Sequence, residues 1–215
     1  MSKKTSLRLV ALCYGLTALV WLLSCVWGLV DETVSRANGA MQTRTYTFSD
    51  VTLSNLVPQS EDTAISTTPD PWIVIDYNGK VRSIVADFSF SSAPGEVNLY
   101  YTRGAEEFTD RQKIWGAAQN GGAYKFVLDG GNYTRLRLDP CSIENITVQL
   151  HSLTINPASG AGVYFALSLK RVFNFILYPA VVAAVLACAA AMLGVTDATL
   201  AQLWAKGRRL LPQKK

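Results

Sequence analysis

His151 is the only histidine in the 215 residues, so a Ser-His-Asp relay would have to pass through it, and a multi-histidine metal site is excluded. Its place inside an alternating run suits a surface or strand-packing side chain. Acid–base chemistry by paired carboxylates would draw on Glu106, Glu107 and Asp110, or on Asp129 with Asp139, and the deciding quantity is their separation in space. The stretch "RGAEEFTDRQK" interleaves both signs, the composition of a solvated loop. No G-x-S-x-G, P-loop or dinucleotide fingerprint occurs. No catalytic residue and no resident metal is therefore assigned, and the chain reads as a non-enzyme. Calcium is the one cofactor the residues admit, through Asp129 and Asp139 at strand ends, although the dense oxygen-ligand spacing of a calcium loop is absent.

The aromatic residues carry a different chemistry. A sugar ring presents an apolar C–H face bordered by hydroxyls, so a sugar site combines a stacking aromatic with a few polar groups that fix orientation. Trp72, Tyr100, Tyr101, Trp115 and Tyr124 offer the rings, and Asn98, Arg103, Asn120, Arg135 and Arg137 the polar partners. The set expected to bind ligand is Trp115, Trp72, Tyr100, Arg135 and Arg137. Tyr100 has the opposite strand parity to Leu99 and Tyr101, so one of the two tyrosines faces outward. The competing reading places at least half of these rings in a core, because strands are rich in aromatics.

The elements that must position them follow from period-two alternation. "TRTYTF", "WIVID", "SIVADFSF", "VNLYYTR", "AYKFVLD", "TRLRLD" and "ITVQLHSLTI" read as strands, with turn signals at Asn78-Gly79, Pro94-Gly95, Gly121-Gly122 and Gly130-Gly131. Many short strands without helices between them predict an all-β antiparallel sandwich, jelly-roll-like. Ile84, Ala86, Phe88 and Phe90 face inward. Leu136 and Leu138 share the inner face of their strand, Arg135 and Arg137 the outer. In the last strand Ile146, Val148 and Leu150 hold one parity and Leu153 and Ile155 the other, which requires a bulge near His151-Ser152. Residues 57–71 read as a long loop or covering segment.

Two apolar runs flank this region. Leu9 to Val30 holds 22 residues without a charge, roughly 33 Å of helix, enough for a bilayer core. Val172 to Thr196 is a second such run, and Trp27 and Tyr178 stand where interfacial aromatics belong. Lys3, Lys4 and Arg8 precede the first run, and five basic residues follow the second. Both termini are thus expected in the cytoplasm, with the middle on the exported side. The division is 1–8 cytoplasmic, 9–30 transmembrane, 31–171 exported sandwich, 172–195 transmembrane, and 196–215 a basic tail that reads either as solvated or as a short amphipathic helix on the membrane. Lys170 and Arg171 fall on the side that rule disfavours. The formal charge of +4 conceals 12 basic and 15 acidic residues between the runs, so the basic balance reports topology and gives no support for nucleic-acid binding. The first run exceeds the h-region of a signal peptide and lacks an A-x-A site; "LLSC" resembles a lipoprotein box at Cys25, but the apolar "VWGLV" follows it.

Of the four cysteines only Cys141 lies between the runs, so this region forms no internal disulfide. Asn132 and Asn145 begin N-glycosylation sequons. Ala183, Ala187 and Ala191 make a small-xxx-small row in the second run, and Gly15 and Gly28 belong to small pairs in the first. These positions are expected to pack helices, with a lipid bilayer and a membrane-protein partner as the surroundings.

The pattern "GEVNLYYT…GAYKFVLDGGNYTRLRLDP…ITVQLHSLTI" resembles a β-sandwich module of bacterial membrane proteins of cell-surface polysaccharide assembly, found alongside or within multi-pass glycosyltransferases. The strand ending at Arg137-Leu138-Asp139-Pro140 and the strand Ile146 to Ile155 carry the likeness, which covers Trp72 to Asn156. The chain lacks a catalytic transferase domain. The resemblance implies a non-catalytic glycan-recognition or accessory subunit with a surface glycan as partner; a structural subunit of a larger complex is the alternative, and a glycan-active enzyme ranks third.

Overall fold

The computed structural model describes residues 3–195 and Ala198. The chain divides into two compact units, Asp31–Gly160 and Met1–Val30 with Ala161–Lys215. In the former, β-branched and aromatic runs form β1 (Arg44–Tyr46), β2 (Thr52–Ser54), β3 (Leu56–Pro58), β4 (Thr63–Ser66), β5 (Trp72–Lys80), β6 (Ser83–Phe90), β7 (Asn98–Thr102), β8 (Lys113–Trp115), β9 (Ala117–Ala118), β10 (Ala123–Val127), β11 (Asn132–Asp139) and β12 (Thr147–Ile155). They pair antiparallel in two sheets. One runs β3-β4-β12-β6-β10-β9 with β1 also on β12, and the other runs β2-β5-β11-β7-β8. Successive strands pass from sheet to sheet, as from β5 to β6 and β10 to β11 to β12, so the chain builds an antiparallel sandwich.

Alternation decides what lies between the sheets. Ile73, Ile75, Leu99, Leu136 and Leu138 of the five-stranded sheet face Ile84, Ala86, Phe88, Phe126, Val148, Leu150, Leu153 and Ile155 of the other, and all are buried. Each large side chain withdrawn from water stabilises the fold by about 1.5–3 kcal/mol. The parity change in β12 is resolved as expected: pairing with β6 shifts between Leu150 and Ser152, leaving His151 unpaired and returning Leu153 and Ile155 to the core. Cys141 is buried beside that core, and burial pushes its thiol pKa up.

Three expectations need correction. Residues 57–71 are not simply a loop, because β4 pairs with β12 and β3 with β4; the polar side chains there line an exposed sheet edge. Asn78-Gly79 is no turn. β5 runs through it to Lys80, where Tyr133 and Asn132 of β11 supply partners. The strand expected over 43–48 shortens to β1 and gives way to a 3₁₀ turn at Phe48–Asp50, because the Asp50 carboxylate accepts from the backbone N–H of Thr47.

The helical unit contains the main part of α1 (Lys3–Ala37), then α2 (Gly162–Phe165) and α3 (Leu169–Met192). α1 and α3 are long and apolar enough to cross a membrane, and only 11% of each apolar window is buried. A core helix of a soluble protein would be mostly buried. Within this unit the Tyr14 hydroxyl donates to the Ile176 carbonyl at 3.0 Å, its ring meets Phe175 edge-on, and the Cys25 thiol donates to the Tyr164 carbonyl at 3.1 Å. Ala183 and Ala187 line a cavity of about 270 Å³ with Leu9, Val10, Tyr14 and Ala180. Gly28 is half-buried, whereas Gly15 and Ala191 are exposed. Helical rotation explains both: Gly15 lies two residues, about 200°, from buried Cys13, and each four-residue step from Ala183 drifts by about 40°.

Arg171, which the charge rule disfavoured, is held by backbone carbonyls, its Nη1 donating to Tyr164 at 3.0 Å and Ala166 at 2.8 Å. Ser168 caps α3 by accepting from Arg171 N. α3 continues through Pro179 and ends in a Schellman turn, with Gly194 at φ +63°, Gly194 N donating to Ala191 and Val195 N to Ala190. The basic tail over 196–215, read either as solvated or as a short amphipathic helix, lies outside the described residues apart from Ala198.

Candidate functional site

β5, β11, β7 and β8 stand side by side, and their outward residues form one surface. Antiparallel register sets Arg137 opposite Tyr100 and Tyr100 opposite Lys113, while Asp139 faces Asn98 and Asn98 faces Trp115. Partners in register share a face, and so do residues two apart on one strand. Trp72, Tyr100, Trp115, Arg135 and Arg137, the five residues expected at a ligand site, therefore stand together on the outer face of the five-stranded sheet.

Cations and rings alternate across it. The Arg137 guanidinium lies 5.0 Å over the Trp72 ring and 5.2 Å over Tyr100; Lys113 Nζ lies 5.7 Å over Tyr100 and 4.3 Å over Trp115. Arg135 covers Phe108 at 5.1 Å. With strands about 4.8 Å apart, the row from Trp72 to Trp115 extends about 14 Å. Trp115 is 61% exposed.

Carboxylates fix the cations. Arg137 Nε and Nη2 donate to the two oxygens of Asp139 at 2.7 and 3.0 Å, and Nη2 also donates to Asp70 Oδ1. Lys113 donates to Glu96 at 3.3 Å, and Arg135 lies 3.7 Å from Asp76. Burial pushes the Asp139 carboxyl up from its ordinary value even though Arg137 opposes that shift. The pair with Asp139 holds the Arg137 guanidinium against the rings of Trp72 and Tyr100.

Other candidates are placed elsewhere. Tyr101 faces inward and packs edge-on against Tyr133 at 5.1 Å, and Tyr124 belongs to the seven-stranded sheet, against Phe90. Arg103 pairs with Asp129 and Tyr133 at the turn before β11, and Asn120 lies in the turn between β9 and β10. Asp129 and Asp139 do not converge for calcium: each is engaged by a different guanidinium, Arg103 and Arg137. Glu106 accepts from Arg103 N, and Asp110 from the Tyr100 hydroxyl at 3.5 Å. His151 Nε2 lies 2.7 Å from Ser89 Oγ on an exposed strand surface, and among the described residues no carboxylate orients the ring. Among the described residues no three His, Cys, Asp or Glu side chains gather as a metal site. Asn132 and Asn145 are both exposed.

No family model and no curated protein matches the chain. Solved structures similar to it include a low-affinity xylan binding module from Roseburia intestinalis, 14% identical over 56% of this chain and 99% of that one at a TM-score of 0.41. CBM32 of AlyQ in complex with 4,5-unsaturated mannuronic acid is 11% identical over 54% and 99%, at 0.37. A Streptococcus pneumoniae fucose binding module is 9% identical over 56% and 97%, at 0.36. At these scores the sandwich assignment rests on the sheet topology itself.

Sequence reasoning missed Lys113 and Asp70. Both carried a signal. Lys113 lies two residues from Trp115, and so on the same strand face, and Asp70-Pro71 leads directly into Trp72.

Proposed function

We propose that this chain is a two-span membrane protein, both termini cytoplasmic, that holds its sandwich on the exported side as a non-catalytic glycan-recognition subunit accessory to cell-envelope polysaccharide assembly. The observation that carries the recognition is the single row of rings and ion-paired cations on one outer sheet face, Trp72, Arg137, Tyr100, Lys113 and Trp115. Rings supply stacking surfaces for sugar C–H faces, and fixed charged groups between them supply directed hydrogen bonds. Two weakly buried apolar helices of bilayer length support the anchoring.

Glycan-array binding by the full chain in lipid nanodiscs tests the reading. Binding is expected to a surface polysaccharide of the host and to fall at least tenfold in Trp115→Ala. Failure to bind any such polysaccharide overturns it.

A second reading, a scaffold for a partner membrane helix, is favoured by the alanine-lined cavity at Ala180, Ala183 and Ala187. A partner that co-purifies in mild detergent and is lost in Ala187→Leu, without glycan affinity, selects it.

A further inference from the structure

The charge pattern of the aromatic face specifies the kind of glycan, an inference that rests on the glycan reading above. Each cation already has a carboxylate: Arg137 has Asp139 and Asp70, Lys113 has Glu96, and Arg135 has Asp76. Asp110 adds a fifth acid through the Tyr100 hydroxyl. Along the row from Trp72 to Trp115 the two cations, Arg137 and Lys113, are hydrogen-bonded to three carboxylates, Asp139, Asp70 and Glu96. Arg135, 3.7 Å from Asp76 at the side of the row, makes no side-chain hydrogen bond among the described residues. A uronate or sulfate stacked along that row would meet more negative than positive charge and would have to break an existing pair to find a counter-charge there.

Beside Trp72 the same groups leave specific hydrogen-bonding capacity. Arg137 spends Nε and Nη2 on Asp139 and Asp70, and its Nη1 has no acceptor among the described residues. Asp70 is exposed; its Oδ1 takes Arg137, and its Oδ2 has no donor among them. A free N–H donor and a free carboxylate acceptor thus belong to one ion pair, held against a ring that covers the guanidinium at 5.0 Å. Neighbouring hydroxyls on a sugar ring each donate and accept, so a vicinal diol answers both groups at once while the sugar's C–H face meets Trp72.

We propose that the face takes an uncharged glycan and that the Asp70–Arg137 pair beside Trp72 is its vicinal-diol subsite. The full chain in nanodiscs is titrated with dextran, mannan and galactan, and with polygalacturonate and hyaluronate. A neutral polymer is expected to bind, with affinity changing less than about twofold as salt is raised. Asp70→Ala is expected to weaken that binding about 10- to 100-fold with an unchanged melting temperature, since Asp70 is exposed. Glu61→Ala, which removes the same charge from the exposed turn between β3 and β4 of the other sheet, should leave it within about twofold. Preference for polygalacturonate or hyaluronate, or equal effects of Asp70→Ala and Glu61→Ala, overturns this inference and leaves the glycan reading standing. Binding to none of the five polymers overturns both.

Discussion

The Arg137 guanidinium sits 5.0 Å over the ring of Trp72. Beneath it the same guanidinium makes a bidentate pair with Asp139, whose side chain is 10% exposed against 19% for Arg137. Removing one partner of so enclosed a pair strands the other charge, which costs about 3–5 kcal/mol. Arg137→Ala is therefore expected to lower the unfolding free energy, measured by urea titration, by about that amount. Arg137→Lys keeps the charge but not the two-pronged geometry, and should fall between the two. A lysine variant as unstable as the alanine one would show that the fork matters and the charge does not.

Trp115 contributes to the face without contributing to the core. At 61% exposed, with Lys113 over its ring, it resembles surface positions whose replacement changes stability by less than about 0.5 kcal/mol. Trp115→Ala should melt with the unchanged protein while losing glycan affinity. Equal loss of both would assign the ring to packing.

The parity of β12 makes a sharper test of how far the sequence specifies the sandwich. Ile146, Val148 and Leu150 on one parity and Leu153 and Ile155 on the other are readable in the sequence, and the shift between Leu150 and Ser152 is their resolution. His151→Ala should cost little, because the ring is exposed and its hydrogen bond is to Ser89 at the surface. Deleting His151 should prevent folding: without the extra residue Leu153 and Ile155 turn to solvent, or the first half of the strand does. Soluble, cooperatively unfolding protein from the deletion would refute the parity argument.

Inward faces were legible because burial imposes a two-residue period on them. The candidate outward face was legible only in part. Trp72, Tyr100, Trp115, Arg135 and Arg137 stood out by residue type, but their meeting on one face depends on the order β5-β11-β7-β8, which long-range pairing decides and local pattern does not. Asp70 escaped notice because its role comes from Arg137, 67 residues away. β3 and β4 were hidden for a related reason: an edge strand needs no apolar face, so "VPQSEDTAISTTPDP" carries loop composition while still pairing through its backbone.

The turn into β11 is closed by a cluster that titrates at both ends of the pH scale. Tyr133 donates to Asp129 Oδ1 at 2.6 Å, Gly131 N donates to the same oxygen at 2.9 Å, and Arg103 pairs with Oδ2. The Tyr133 hydrogen bond, more than any other contact, holds the Asp129 carboxyl down at about 2. Burial, assisted by that hydrogen bond, pushes the Tyr133 phenol up to about 12. A carboxyl depressed on folding stabilises fully above its unfolded value near 4 and loses that contribution as pH falls toward 2. A phenol raised on folding stabilises fully below about 10 and loses its contribution as pH rises toward 12. Solvent around the exposed Asp129 limits its share to about 1 kcal/mol or less. Asp129→Asn should therefore be less stable than the unchanged protein at neutral pH, and its urea midpoint should fall less steeply between pH 4 and 2. Tyr133→Phe should likewise flatten the alkaline limb between pH 10 and 12. Parallel pH profiles for the unchanged protein and both variants would mean that the turn is held by packing around Tyr133 and not by its hydrogen bonds.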